Sequence, residues 1–253
     1  MRAQTAGVPG VQIAIVVFPG LTALDVVGPY EVLRYLPEAD VRFVWHETGP
    51  VVTDSGVLAL GATHTFGETP SPDIVLVPGS GTAIAVAAED KRLREWLLSA
   101  HRTSTWTVSV CGGALVLAAA RLLEGRRAAS HWQALTPLRA FGAVPCGDER
   151  VVFDGKLVTC AGVSAGIDLA LSLAARIAGE ERAKAIQLMI EYDPDPPFDS
   201  GHASSASRHT KVLANALLTR DAVRAPNMAA ASRLAWSTVL DRVRARRSRT
   251  RAR

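Results

Sequence analysis

A thiol, a carboxylate and glycine-freed backbone N–H groups are the parts of a covalent site, and this chain places one of each after a run of apolar residues. The thiol is Cys111, in Thr105-Trp-Thr-Val-Ser-Val-Cys111-Gly112-Gly113-Ala-Leu-Val-Leu-Ala. The residues before it are β-branched and aromatic, as a buried strand requires. Those after it are rich in Ala and Leu, as a helix prefers. A strand that turns straight into a helix at Cys-Gly-Gly has the mechanical logic of a nucleophile elbow, built on a thiol instead of a hydroxyl. The helix N-terminus beneath the sulfur favours thiolate, so an apparent pKa below the free value of about 8.5 is expected. Packing as a small buried hydrophobe is the competing role for a free cysteine. Asp25 follows the apolar run 11–18 and the break Pro19-Gly20. It reads either as a helix cap or as the acid–base partner of the thiol. A carboxylate against a thiolate must share a proton, so the expected pair is a protonated Asp25 donating to Cys111.

The elements that must position these residues follow from periodicity. Strands are expected over 11–18, 41–48, 73–78 and 105–110, with hairpin or edge pieces over 51–54 and 57–60. Helices are expected over 22–35 (Gly28-Pro29 at a turn or first helical position), 90–102, 112–124, 133–141, 164–178 and 180–192. Leu93, Trp96 and Leu97 form the buried stripe of the helix over 90–102, and Gly125 reads as a C-terminal cap. A short strand is expected over 127–130. Asp154-Gly155 between two apolar runs is a hairpin signal. After the proline-rich loop 193–201, helix is expected around 210–220 and 229–243.

Strands alternating with helices argue an α/β fold with a doubly wound, mostly parallel sheet flanked by helices. Sites in such sheets lie at the carboxyl ends of the strands. Asp25, Gly79 and Cys111 each follow a different strand, so all three can line one crevice.

Composition bounds the alternatives. With 253 residues, 48% hydrophobic and 21% charged, the chain suits one soluble domain with an extension. The expected organisation is a flexible N-terminus over 1–10, the α/β domain over 11–201 and a helical, Arg-rich extension over 202–253. The net charge of +4 hides an asymmetry, since residues 201–253 hold 12 Lys+Arg against 2 Asp+Glu and the rest is net acidic. Nucleic-acid contact is therefore a matter for the tail alone, and a weak, non-specific one. No apolar run spans a bilayer and the N-terminus lacks a signal core, so a cytoplasmic protein with no membrane partner is expected. No His/Cys spacing matches a metal site, and neither metal nor cofactor is expected. Cys146 and Cys160 lack an elbow and read as structural. Asp168 reads as a local hydrogen-bonding or surface charge.

Several stretches together resemble the ThiJ/PfpI (DJ-type) superfamily, which shares the class I glutamine amidotransferase-like (flavodoxin-like) fold. They are Leu24-Asp25-Val-Val-Gly28-Pro29, Val77-Pro78-Gly79, Ser109-Val-Cys111-Gly-Gly-Ala, His131-Trp132, Gly162-Val-Ser-Ala-Gly166-Ile-Asp168 and the segment from Glu191 to Gly201. Within the superfamily the likeness is to isonitrile hydratases and to the amidase-like sensor domains of AraC-type regulators. The resemblance implies Cys111 as nucleophile and Asp25 as its acidic partner. It implies Gly79 and Gly112, with Ser80 beside them, as an oxyanion or substrate-binding group, and His131 as a further residue near the site. A packed or capping histidine is an equal reading of His131. The resemblance also implies a small-molecule substrate and a homodimer. Two positions depart from the pattern: Gly112 stands where the hydratases carry Thr, and Ser80 replaces a second glycine. The expected activity is hydration of an isonitrile, with a ligand-sensing domain or a redox stress protein as the alternatives.

Overall fold

The structure, a computed structural model, describes residues 10–81, 83–222, 230, 233 and 234. In chain order these form β1 (Gln12–Val16), α1 (Ala23–Leu33), β2 (Asp40–Trp45), β3 (Gly49–Val52), β4 (Ala59–Ala62), β5 (His64–Thr65) and β6 (Ile74–Val77). There follow α2 (Ile84–Glu89), α3 (Lys91–Thr103), β7 (Trp106–Ser109), α4 (Gly113–Ala119), β8 (Arg127–Ala128), α5 (Leu135–Ala140) and β9 (Val144–Pro145). The described chain continues through β10 (Val151–Asp154), β11 (Leu157–Cys160), α6 (Ala165–Ala178), α7 (Glu180–Met189) and α8 (Arg208–Ala222). The helix expected over 229–243 lies almost wholly outside the described residues. The N-terminal residues 1–9 and the Arg-rich end from Arg242 onward lie wholly outside them.

Among the described residues seven strands form one sheet in the order β10-β11-β7-β6-β1-β2-β5. Every pairing is parallel except β10 with β11, joined through Gly155 at φ +62°. The middle strands are buried beyond their first residues, Ile74 to Val77 completely so, because helices cover both faces. One helical set packs α1 on α6 and α6 on α7; the other packs α2, α3 and α5 on α4. In α3, Asp90 caps the N-terminus by accepting from the Leu93 N–H, and Leu93, Trp96 and Leu97 face inward as their spacing predicts.

β1 and β6 are neighbours, yet the chain leaves β1 for β2 on one side and continues from β6 to β7 on the other. That reversal opens a crevice beyond their carboxyl ends. Two local expectations change. Pro29 sits inside α1 rather than at its start. There it packs against α6, where a Cβ on Gly166 would lie 3.1 Å from the Pro29 ring. The helix after Cys111 ends at Ala119, so Gly125, at φ +71°, shapes the following turn and is not its cap.

Candidate active site

The sharpest backbone feature of the crevice is Cys111 at φ +56°. A non-glycine residue there is strained by about 1–3 kcal/mol and persists only where its surroundings over-determine it. The surroundings do so. The Cys111 N–H donates to the Ala161 carbonyl at 3.0 Å, and the Cys111 carbonyl accepts from the Ser130 hydroxyl at 2.7 Å and the His131 N–H at 3.4 Å. Behind it α4 presses on β6: a Cβ on Gly113 would lie 2.2 Å from the Val77 carbonyl oxygen. That closeness explains the second glycine of Cys-Gly-Gly. Gly112 is in ordinary helical backbone, at φ −69° and ψ −9°.

The structure brings Asp25 and Cys111 together. Asp25 is the third residue of α1, fully buried, and is no cap. Its Oδ2 accepts from the Gly79 N–H at 2.7 Å, across from β1 to the end of β6. Its Oδ1 is buried without an N–H or O–H partner, and the Cys111 side chain interacts with the carboxylate. Gly79 has to be glycine, since a Cβ there would lie 2.5 Å from the Gly112 nitrogen and 2.9 Å from Asp25 Oδ2.

This geometry corrects two expectations. The Gly79 N–H is committed to Asp25, so Gly79 and Gly112 do not form an oxyanion pair. The Gly112 N–H instead acts on the Cys111 sulfur, together with the Val163 N–H at the start of α6. The thiol is also not depressed. Burial, then the negative charge of Asp25, push it up, and the two N–H groups offset only part of that. Burial likewise pushes Asp25 up to about 7, against the opposing hydrogen bonds from Gly79 and Cys111 and aided by the charge of Asp54. The pair titrates as a unit. Both shifts disfavour negative charge on the pair, against the expected thiolate facing a protonated Asp25.

Above the pair lies a cavity of about 410 Å³. Cys111 is 8% exposed into it; Ile84, Leu115, Pro137, Val163 and Leu218 form apolar walls. Ser80 and Gly112 also line it. The Ser80 hydroxyl donates to the Gly20 carbonyl and accepts from the Ala83 N–H at 2.7 Å, which shapes the loop. His131 lines the same cavity with burial lowering its pKa, and its Nδ1 accepts from the Gln133 N–H at 3.4 Å. Among the described residues no hydrogen bond joins its ring to the Cys111 sulfur, so the packed, capping reading fits it.

Thr22, Asp54 and Gln133 line the cavity without having been singled out in the sequence. Asp54 follows the antiparallel β3–β4 pair's first strand and accepts from the Thr22 hydroxyl at 2.6 Å. Only pairing 32 residues apart reveals it. Cys160 is buried and Cys146 half-buried, and Asp168 pairs with Arg150 and accepts from the Tyr192 hydroxyl. Among the described residues no group of three or more His, Cys, Asp or Glu side chains is placed to hold a metal ion.

The family model described as the DJ-1/PfpI family matches residues 11–176. The chain belongs to the DJ-1/PfpI family. It is 43% identical over 195 residues to the isonitrile hydratase of Pseudomonas putida, covering 77% of this chain and 84% of that one. It is 29% identical over 172 residues to the HTH-type transcriptional regulator CdhR of Pseudomonas aeruginosa, spanning 65% of this chain but half of the regulator. Among solved structures, a ThiJ/PfpI family protein from Pseudomonas syringae superposes with a TM-score of 0.81 at 36% identity, covering 93% of this chain and 96% of that one. Residues 1–201 alone cannot supply that share, so the likeness reaches into the C-terminal extension.

Proposed function

We propose that this protein is a cytoplasmic cysteine enzyme of isonitrile hydratase type, converting an isonitrile and water into an N-substituted formamide. The observation that carries the reading is the buried Asp25–Cys111 pair, whose Cys111 lines an apolar-walled cavity. Likeness to an isonitrile hydratase over 84% of that enzyme's length supports the same chemistry.

The isonitrile carbon takes both a proton and a nucleophile, and the pair holds one of each. Asp25 accepts the thiol proton and delivers it to the terminal carbon as the sulfur bonds to the same carbon, giving a thioimidate, R–N=CH–S–Cys111. Water adds to that carbon, the nitrogen takes a proton, and the C–S bond breaks. The formamide leaves and the proton returns to the Asp25–Cys111 pair. The N–H groups of Gly112 and Val163 steady the negative charge on sulfur as it forms and departs. The apolar walls hold the organic substituent. Hydration of a panel of isonitriles by purified protein, followed as formamide formation and compared with Cys111→Ala, tests the reading; turnover that survives in Cys111→Ala would sink it.

The likeness to CdhR favours a second reading, a ligand-sensing domain that kept the elbow. It predicts saturable isonitrile or amide binding without turnover. The redox alternative draws less support, because a sensor thiol needs a low pKa and access, and Cys111 is buried with its pKa raised.

A further inference from the structure

The C-terminal extension reaches the cavity. Leu218 of α8 is one of its walls, and its Cδ2 lies 3.9 Å from where a Cβ on Gly81 would stand, at the loop that follows β6. Leu218 shares a helix face with Lys211 and Ala214, at spacings of seven and four, and with Thr210 these are the half-buried positions among the described side chains of that helix. The extension is fastened to the domain at three places. The His202 ring pairs with the Gly147 carbonyl at 3.2 Å, before α8 begins. The Asn215 side chain accepts from Gln133, itself a lining residue. The Arg233 guanidinium grips both carboxylate oxygens of Glu89 at the end of α2, the helix that supplies Ile84 to the cavity wall.

We infer that α8 is a wall of the substrate pocket and that Leu218 sets the largest apolar substituent able to reach Cys111. As far as the substrate is an isonitrile, the inference rests on the hydratase reading; as far as access to the sulfur is concerned, it stands on the cavity alone. An apolar group one carbon too large for such a wall is discriminated against by about 10-fold or more. Leu218 is half-buried on a surface helix, so its replacement leaves the core untouched.

Two variants test it, Leu218→Ala and Leu218→Trp, each shown to be folded by circular dichroism. The first readout is kcat/KM for naphthyl isonitrile divided by that for ethyl isonitrile. The second needs no turnover: the rate of Cys111 alkylation by N-naphthyl iodoacetamide divided by that by iodoacetamide, with Cys111 and Cys146 separated by peptide mapping. Leu218→Ala should raise both ratios about 10-fold and Leu218→Trp should lower them by a similar factor. Alkylation ratios unchanged in both variants would overturn the inference. Shifted alkylation ratios in a protein that hydrates no isonitrile would uphold the wall and overturn the hydratase reading.

Discussion

Asp25 and Cys111 are buried in contact with each other, and that fact has consequences for both stability and rate. The Asp25 carboxyl ionises near its ordinary 3.8 when unfolded and near 7 when folded. Between those values the folded state keeps a proton that the unfolded state has lost. Stability therefore falls as pH rises across the window, by about 4 kcal/mol in all, and levels off above it. Asp25→Asn removes that titration, so urea unfolding should find the variant more stable than wild type at pH 8, while the difference shrinks or reverses at pH 4. The same substitution should lower isonitrile turnover by about 10²–10⁴-fold, because an amide cannot carry the proton. In wild type the one-proton pair is the reactive form, so kcat/KM should rise with pH through about 7; a profile falling through that value would assign the reactive form to the doubly protonated pair. Gly112 makes a second test. Its backbone is helical and a Cβ there would meet the Ile84 side chain at an ordinary 3.4 Å, so the backbone and Cβ of a Thr are accommodated. Gly112→Thr should raise hydratase turnover if the missing hydroxyl limits it.

The elements hold this pair through contacts that are local in space and remote in sequence, and that difference marks what could be read from the chain. The alternation of strands and helices, and the placing of Asp25, Gly79 and Cys111 after three strands, were legible because each depends on a short run of residues. β1, β6 and β7 then proved to be consecutive neighbours, which brings the three together. The strands β5 and β9 and the helix α2 are two to six residues long and are held by their neighbours, so no periodicity announces them. The direction of the Cys111 shift is not legible in sequence for a related reason: a helix N-terminus is visible there, whereas the burial that outweighs it is not. Ser130 is similarly silent until the fold lays it against the Cys111 carbonyl. Ser130→Ala should cost about 1–3 kcal/mol in urea unfolding by leaving that carbonyl underbonded. It should also relax the elbow and slow Cys111 alkylation relative to Cys146. An alkylation ratio that does not move would show that the strained conformation is held by α4 and β11 without the hydroxyl.

At the scale of the molecule the extension divides into a part that touches the domain and a part that carries charge. No helix among the described residues is long and apolar enough to cross a membrane. Yet Leu188 and Met189 of α7, Phe198, and Val212, Leu213 and Leu217 of α8 are all exposed large apolar side chains. Those of α8, at 212, 213 and 217, lie within two turns of one helix, and an apolar patch of that kind marks an interaction site. We propose that a second copy of the chain covers it, and sedimentation should find a dimer at micromolar concentration, with Leu213→Glu and Leu217→Glu together shifting it to monomer. The charged part begins beyond α8, where residues 242–253 hold seven arginines and no acidic residue. Such a run binds nucleic acid through counterion release, which rewards charge and ignores sequence. With about six phosphates neutralised, affinity for duplex DNA should fall by roughly 10³-fold between 50 and 200 mM salt. Removing residues 242–253 leaves α8, Leu218 and Arg233 in place. The truncated protein should therefore lose DNA binding and keep wild-type kcat/KM for isonitriles. Sequence-selective binding that survives the truncation would place the contact on the domain and return weight to the sensor reading.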